Sequence, residues 1–294
     1  MCAGEGRRRT CRRVTGPAYN TDVVTAEIIA IGNELLLGQV LDTNSNYLCS
    51  AVTRMGGRVN HIAVVGDDSA AIVSEITSSR GRGAQVIFTC GGLGPTADDC
   101  TLIAVADAIG TQLALQPEAK EFVTQRYQGL AAAGYVQSAE LVEARLKMAW
   151  LPEGAEMIEN PVGAAPGVVV RQGGSRIVSL PGVPSELKAI VDGPLSGLLA
   201  GVFGGGYGER SLLVDCGDES KLAPILQLAA AAHPDVYIKS RARHFGPQVR
   251  FLIVVSASGT SAGDSNRKVQ EAERDLIKAL ETAGYPSSPM SVPE

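Results

Sequence analysis

The chain has 294 residues, 45% of them hydrophobic but only 4% aromatic, and a formal net charge of -5. That suffices for one large or two modest domains with a core of Ala, Val, Leu and Ile; it gives no general electrostatic case for nucleic-acid binding, and no apolar run reaches the length of a membrane span. Six cysteines with no C-x-x-C pair and no secretory signal argue against a disulfide framework or zinc site and for a reducing, cytoplasmic setting.

In chain order, residues 1–21 carry Arg7, Arg8, Arg9, Arg12 and Arg13 with almost nothing apolar. Composition reads them as a disordered tail, with a targeting or nucleic-acid arm as the rival. Thr25–Ile31 is a first strand, followed by Gly32–Gly38, which places Asn33 and Glu34 just past a strand end. Ligands of open α/β sheets sit at such ends, although an ordinary loop fits equally well. Asp42–Ser45 offers caps for a helix to about Met55, with Leu48, Val52 and Met55 at helical spacing. Arg58–Val65 is a second strand, Gly66–Asp68 a second glycine–acid turn, and Ser69–Ser79 a helix.

Val86, Ile87 and Phe88 form a short apolar run suited to a central parallel strand. The turn Gly91, Gly92, Leu93, Gly94, Pro95, Thr96 follows, and Thr96 with Asp99 resembles a capping box opening a helix Asp99–Ile109. A glycine turn at a helix N-terminus suits a phosphate, and the adjacent carboxylates suit a divalent metal. A plain strand–helix connection with a capping Asp is the competing reading. Glu118–Met148 reads as one or two helices broken at Gly134, with Lys120, Arg126, Arg145 and Lys147 on solvated faces. Asn160–Gly167 is too rich in Gly and Pro to be regular. Val168–Arg171 and Arg176–Leu180 flank Gly173–Gly174 as a hairpin. Gly182, Pro184 and Ser185 then make a third glycine turn into a helix, able to face an anion. Gly201–Gly208 reads as a linker, and the rest as strand, helix, strand, strand, helix. The divisions expected are a tail 1–21, an α/β domain 22–200, a linker 201–208, a small α+β domain 209–285 and a frayed tail 286–294.

Six strings occur in order: GNELLLG (Gly32–Gly38), DTNS (Asp42–Ser45), VGD (Val65–Asp67), GGLGPTADDCT (Gly91–Thr101), NPVGAAPG (Asn160–Gly167) and LPGVPSEL (Leu180–Leu187). Together they resemble the N-terminal region of the competence-damage-inducible protein family, which contains the molybdopterin-binding domain. The resemblance implies a three-layer α/β/α sandwich with a second, small KH-like α+β domain. It implies catalytic roles for Asp67, Asp99 and Glu34, metal contacts from Asp99, Asp98 and Asp67, and phosphate or nucleotide contacts from Gly91–Thr96, Asn44, Ser45, Gly163, Gly182, Pro184 and Ser185. Asn33 stands where an Asp is usual and Ala164 where a Thr is usual. The implied activity is metal-dependent (Mg, Mn or Co) hydrolysis of an ADP-ribose- or FAD-type diphosphate, with water oriented by Glu34 or Asp67. The alternatives are a molybdopterin-binding or adenylylating protein and a non-catalytic nucleotide-binding scaffold. The resemblance also implies homo-oligomerisation and a nucleotide or pterin phosphate as partner. No amidase domain follows the KH-like unit, so no deamidase activity is expected. A G-x-x-G loop is lacking, so RNA binding is not carried over.

Overall fold

The computed structural model describes residues 23–242 and 250–290; the Arg-rich tail 1–21 lies outside them. The larger unit comprises Val23–Tyr207 with Ser258–Ala262, and the smaller one Gly208–Ala257 with residues 263–290.

In the larger unit the order is β1 (Thr25–Ile31), α1 (Asn33–Leu36), α2 (Thr43–Arg54), β2 (Arg58–Val65), α3 (Ser69–Gly81), β3 (Val86–Cys90), α4 (Thr101–Ile109), β4 (Leu113–Leu115), α5 (Pro117–Ala132), α6 (Glu143–Leu146), β5 (Trp150–Pro152), β6 (Glu156–Ile158), β7 (Gly167–Gln172), β8 (Ser175–Leu180), α7 (Pro184–Asp192) and α8 (Ser196–Phe203). Six strands pair in the order β2-β1-β3-β8-β7-β6. The first four run parallel, and β7 and β6 run antiparallel at one edge.

Strand alternation sorts the core into two layers. Ile28, Val86, Phe88, Val178 and Leu180 pack with Leu48, Val52, Leu187, Ile190, Leu199 and Phe203 from α2, α7 and α8. Ile29, Ile31, Ile87 and Ile177 pack on the other face with Ile72, Ile76, Ala104, Val105 and Ala119 from α3, α4 and α5. This is the three-layer α/β/α sandwich. All four parallel strands deliver their carboxyl ends to one edge, so the loops after Ile31, Val65, Cys90 and Leu180 share it.

Glu27, only 2% exposed, sits among the apolar residues of β1. Arg82 neutralises it with hydrogen bonds from Nε at 3.0 Å and Nη2 at 2.6 Å, and also reaches Glu75. Burial alone would raise the Glu27 carboxyl. The Arg82 and Ser79 hydrogen bonds and nearby positive charge overcome it and hold the group below its ordinary value.

Two expectations need correction. Gly201–Gly208 is not one linker: Gly201–Phe203 complete α8, whose Leu199 and Phe203 are buried, and a strand begins at Gly206. Gly204, at φ +57°, caps the helix in the left-handed conformation. The tail 286–294 is structured in part, because Ser287–Met290 forms a strand. Its Pro289 is accommodated because that strand lies at a sheet edge. Glu118–Met148 holds α5, which ends just before Gly134, then a loop, α6 and a short 3-10 turn, in line with a helical region broken at Gly134.

The smaller unit runs β9 (Gly206–Asp215), α9 (Glu219–Ala232), β10 (Tyr237–Ala242), β11 (Arg250–Gly259), α10 (Ala262–Thr282) and β12 (Ser287–Met290), with sheet order β10-β11-β9-β12. Leu222, Leu226, Val269, Leu276 and Leu280 pack its helices onto Leu212, Val214, Phe251, Ile253 and Val255. Among the described residues no helix is long and apolar enough to cross a membrane.

Candidate functional site

The turn after β3 is the centre of the shared edge. Gly91 has φ +112° and Gly92 φ +67°, so both occupy conformations that L side chains rarely adopt. A Cβ on Gly91 would stand 2.3 Å from the Ile31 carbonyl oxygen, which fixes the turn against β1. Gly91 N–H donates to Leu180 O at 3.0 Å. The fully buried Thr101 ties the turn to α4: its Oγ1 donates to Gly91 O at 2.7 Å and its N–H to Gly92 O at 3.2 Å. Leu93 is a side-chain anchor, buried with Val123, Tyr127, Met148 and Ala165. As a phosphate ligand it offers only its backbone.

The Thr96–Asp99 pair exists but does not open the helix. Thr96 N–H donates to Asp99 Oδ2 at 2.8 Å, whereas α4 begins at Thr101 after Cys100, which provides no side-chain cap. The pair closes the turn instead, two residues ahead of Thr101. Thr96 Oγ1 lies 2.5 Å from Asp98 Oδ1 and 2.6 Å from Asp99 Oδ2. One hydroxyl proton serves one acceptor at a time, so two carboxylates converge on a single hydroxyl. The Thr96 hydrogen bond holds the exposed Asp98 below the ordinary carboxylate range, and Lys147 adds to the effect. Lys147 Nζ donates to the Thr96 carbonyl oxygen. The amides of Gly91 and Thr96 are thus spent internally. Those of Gly92, Leu93 and Gly94 find no acceptor among the described residues.

The remaining loops gather around this turn unequally. Asn44, in the first turn of α2, donates from Nδ2 to Gly182 O at 2.7 Å, and Gly182 lies against Gly91. Asn44 Oδ1 and Ser45 Oγ are buried without a hydrogen-bond partner. Pro184 opens α7, and Ser185 is exposed beside it. Asp67 Oδ2 accepts from Asn33 N–H at 2.9 Å, so this acid joins the loops after β1 and β2. Asp68 caps α3 through Ala71 N–H. Glu34 is exposed on α1, its carboxylate folded over Gly32. Burial pushes the Cys100 thiol up and the Asp67 and Asp68 charges push it further, while a backbone hydrogen bond and Lys147 oppose.

Gly163 is fastened inside its own loop. Its N–H donates to Asn160 Oδ1 at 2.8 Å and its carbonyl accepts from Arg126 Nε at 2.8 Å. Asn160 is fully buried and also donates to Ala165 O and Glu186 Oε2. As folded, Gly163 has no amide for a phosphate, and Arg126 is a loop brace rather than a solvated charge.

Asp67, Asp98 and Asp99 do not form a three-carboxylate metal set. Among the described residues no group of three or more His, Cys, Asp and Glu could hold an ion, because Asp67 is turned to Asn33. The adjacent Asp98 and Asp99 still fit a hard cation whose shell is completed by phosphate and water, since Mg²⁺ is usually held by one or two carboxylates.

A cavity of about 650 Å³ opens on the α4 and α6 side of the turn. Gly92, Gly94, Thr96 and Asp99 form one wall, and Leu146, Lys147 and Trp150 contribute to the rest. The sequence suggests a solvated face for Lys147, which instead bonds the turn, and it does not single out Trp150. The signal for the second was the presence of a single Trp in a chain with 4% aromatics.

A family model described as a probable molybdopterin binding domain matches residues 27–200. A protein of Aeropyrum pernix is 42% identical over 87% of this chain and 91% of its own length. A protein of Thermococcus kodakarensis is 39% identical over 80% of this chain and 92% of its own. The crystal structure of the protein CinA, of unknown function, from Thermoplasma acidophilum superposes with a TM-score of 0.55. It is 33% identical and covers 60% of this chain and 98% of that one.

Proposed function

The chain belongs to the molybdopterin-binding-domain family, and from that premise we propose that it is a divalent-metal-dependent hydrolase of nucleotide diphosphates of the ADP-ribose or FAD type. The observation that carries the reading is the convergence of the Asp98 and Asp99 carboxylates on Thr96, beside a turn with uncommitted amides. Asp98 and Asp99 are the residues that would hold Mg²⁺, Mn²⁺ or Co²⁺, and the cation would polarise phosphoryl oxygens.

The chain's own groups account for the rest. The amides of Gly92, Leu93 and Gly94 donate to non-bridging phosphoryl oxygens, where preorganised dipoles stabilise charge developing in the transition state. The Lys147 ammonium adds a fixed positive charge at the same turn. Glu34 and Asp67, on the neighbouring strand ends, are the carboxylates available to orient the attacking water. The buried, unpartnered Asn44 Oδ1 and Ser45 Oγ belong to the first turn of α2, whose Asn44 also supports Gly182.

A second reading, binding or adenylylation of molybdopterin, is favoured by the description of the matching family. Both use the same turn. The test is to incubate the protein with ADP-ribose and with FAD in Mg²⁺, Mn²⁺ or Co²⁺ and to follow AMP by chromatography. Metal-dependent AMP release supports the hydrolase. No release, together with saturable binding of a pterin phosphate, moves the assignment to the second reading.

A further inference from the structure

The cavity beside the turn has a composition that the diphosphate chemistry does not explain. Trp150 at the start of β5 is 41% exposed and Ile103 on α4 is 46% exposed, although both are large apolar side chains. Both line the cavity, with Leu113 and Leu146. At the turn end the walls are polar, with Asp99 and Lys147, and Glu143 of α6 places another carboxylate on the lining. A volume near 650 Å³ is in the range of pockets that enclose a small organic ligand.

These features fit a ligand with two unlike ends. The turn and Lys147 suit phosphate. Trp150, Ile103, Leu113 and Leu146 suit a flat apolar surface, and an indole stacks on any heteroaromatic ring through its face. A carboxylate accepts hydrogen bonds from a ring amino group and repels a second phosphate. We propose that this cavity is the base subsite: it takes the planar, amino-bearing heteroaromatic ring of the substrate, with Trp150 as stacking surface and Glu143 as acceptor for the ring amine. The proposal rests on the reading of the turn as a phosphate site. Adenine and pterin share the required chemistry, and the test separates them.

Trp150 is the only tryptophan, so its emission reports on the subsite directly. Wild-type protein is titrated with AMP, with neopterin and with ribose 5-phosphate, correcting for ligand absorbance. The expected result is a saturable change in emission with AMP or with neopterin, the responder identifying the ring, and none with ribose 5-phosphate. By equilibrium dialysis of the responding ligand, Trp150→Ala should weaken binding roughly 5- to 100-fold, the range found for lost stacking on one base. Trp150→Phe should restore most of it, and Glu143→Gln should weaken ring binding while leaving ribose 5-phosphate binding, measured by the same dialysis, unchanged. An equal response to ribose 5-phosphate, or unchanged binding in Trp150→Ala, overturns the proposal. The two readings fail separately. Ring binding at Trp150 without AMP release supports the subsite and sinks the hydrolase. AMP release with an unchanged KM for ADP-ribose in Trp150→Ala sinks the subsite and leaves the hydrolase standing.

Discussion

Thr101→Val isolates the bond that fastens the phosphate turn to α4. Thr101 is fully buried, and its Oγ1 is the hydroxyl that donates to Gly91 O at 2.7 Å. Valine keeps the shape but removes the donor, which leaves a buried carbonyl without a partner. The net worth of the bond plus the desolvation of the orphaned oxygen comes to about 2 kcal/mol. With a urea m-value of roughly 3 kcal/mol per M, the midpoint should fall by about 0.7 M at constant m. Trp150 lies in the same unit as Thr101, so its fluorescence follows the unfolding of that unit. Thr101→Ser retains the hydroxyl and should lose less than half as much. An unchanged midpoint in Thr101→Val, or equal losses in the two variants, would refute the claim that this hydrogen bond anchors the turn.

Further expectations rest on other contacts. Arg82→Met leaves Glu27 buried without its cation and should cost about 3 kcal/mol, the lower end for breaking a buried pair, because the Arg82 side chain is 40% exposed; urea unfolding measures it. In the wild type, Glu27 titrates below its ordinary 4.5. Its contribution is therefore complete above that value and is lost as pH falls through the lower folded value; midpoints between pH 3 and 6 should trace this, and a flat profile would contradict it. Thr96→Val removes the hydroxyl shared by Asp98 and Asp99, so the Asp98 carboxyl should titrate nearer its ordinary 3.8 by NMR, and no movement would rule out that contact as the cause. Asn160→Ala removes the acceptor of Val162 and Gly163 N–H, and hydrogen exchange at those two amides should lose protection.

Much of the larger unit was legible because its rules are local. The apolar runs in Thr25–Ile31 and Val86–Cys90, glycines at strand ends and Pro184 at a helix start each act within a few residues. The elements that escaped depend on distant partners. Leu199 and Phe203 make α8 a helix by packing on the sheet, whereas the flanking glycines alone suggest a linker. Ser287–Met290 is a strand because it pairs with β9. The site shows the same division. The glycine turn, Asp98 and Asp99 are contiguous, so one local string marks them. Lys147 stands 51 residues from Thr96, and the Asn160–Glu186 bond spans 26, so no local pattern marks either contact. The expected capping box shows how a correct pair can carry the wrong role: Thr96 and Asp99 do bond, but they shape the turn before Thr101 starts the helix.

If Asp98 and Asp99 make the turn a metal-dependent diphosphate site, AMP release from ADP-ribose followed against Mn²⁺ concentration will separate wild type from Asp99→Asn. Release should saturate with Mn²⁺, stop with chelator and fall about 100-fold or more in the variant, with both proteins sharing one urea midpoint to within the loss of the Thr96 contact. Release that is independent of metal, or equal in the two proteins, would contradict that assignment.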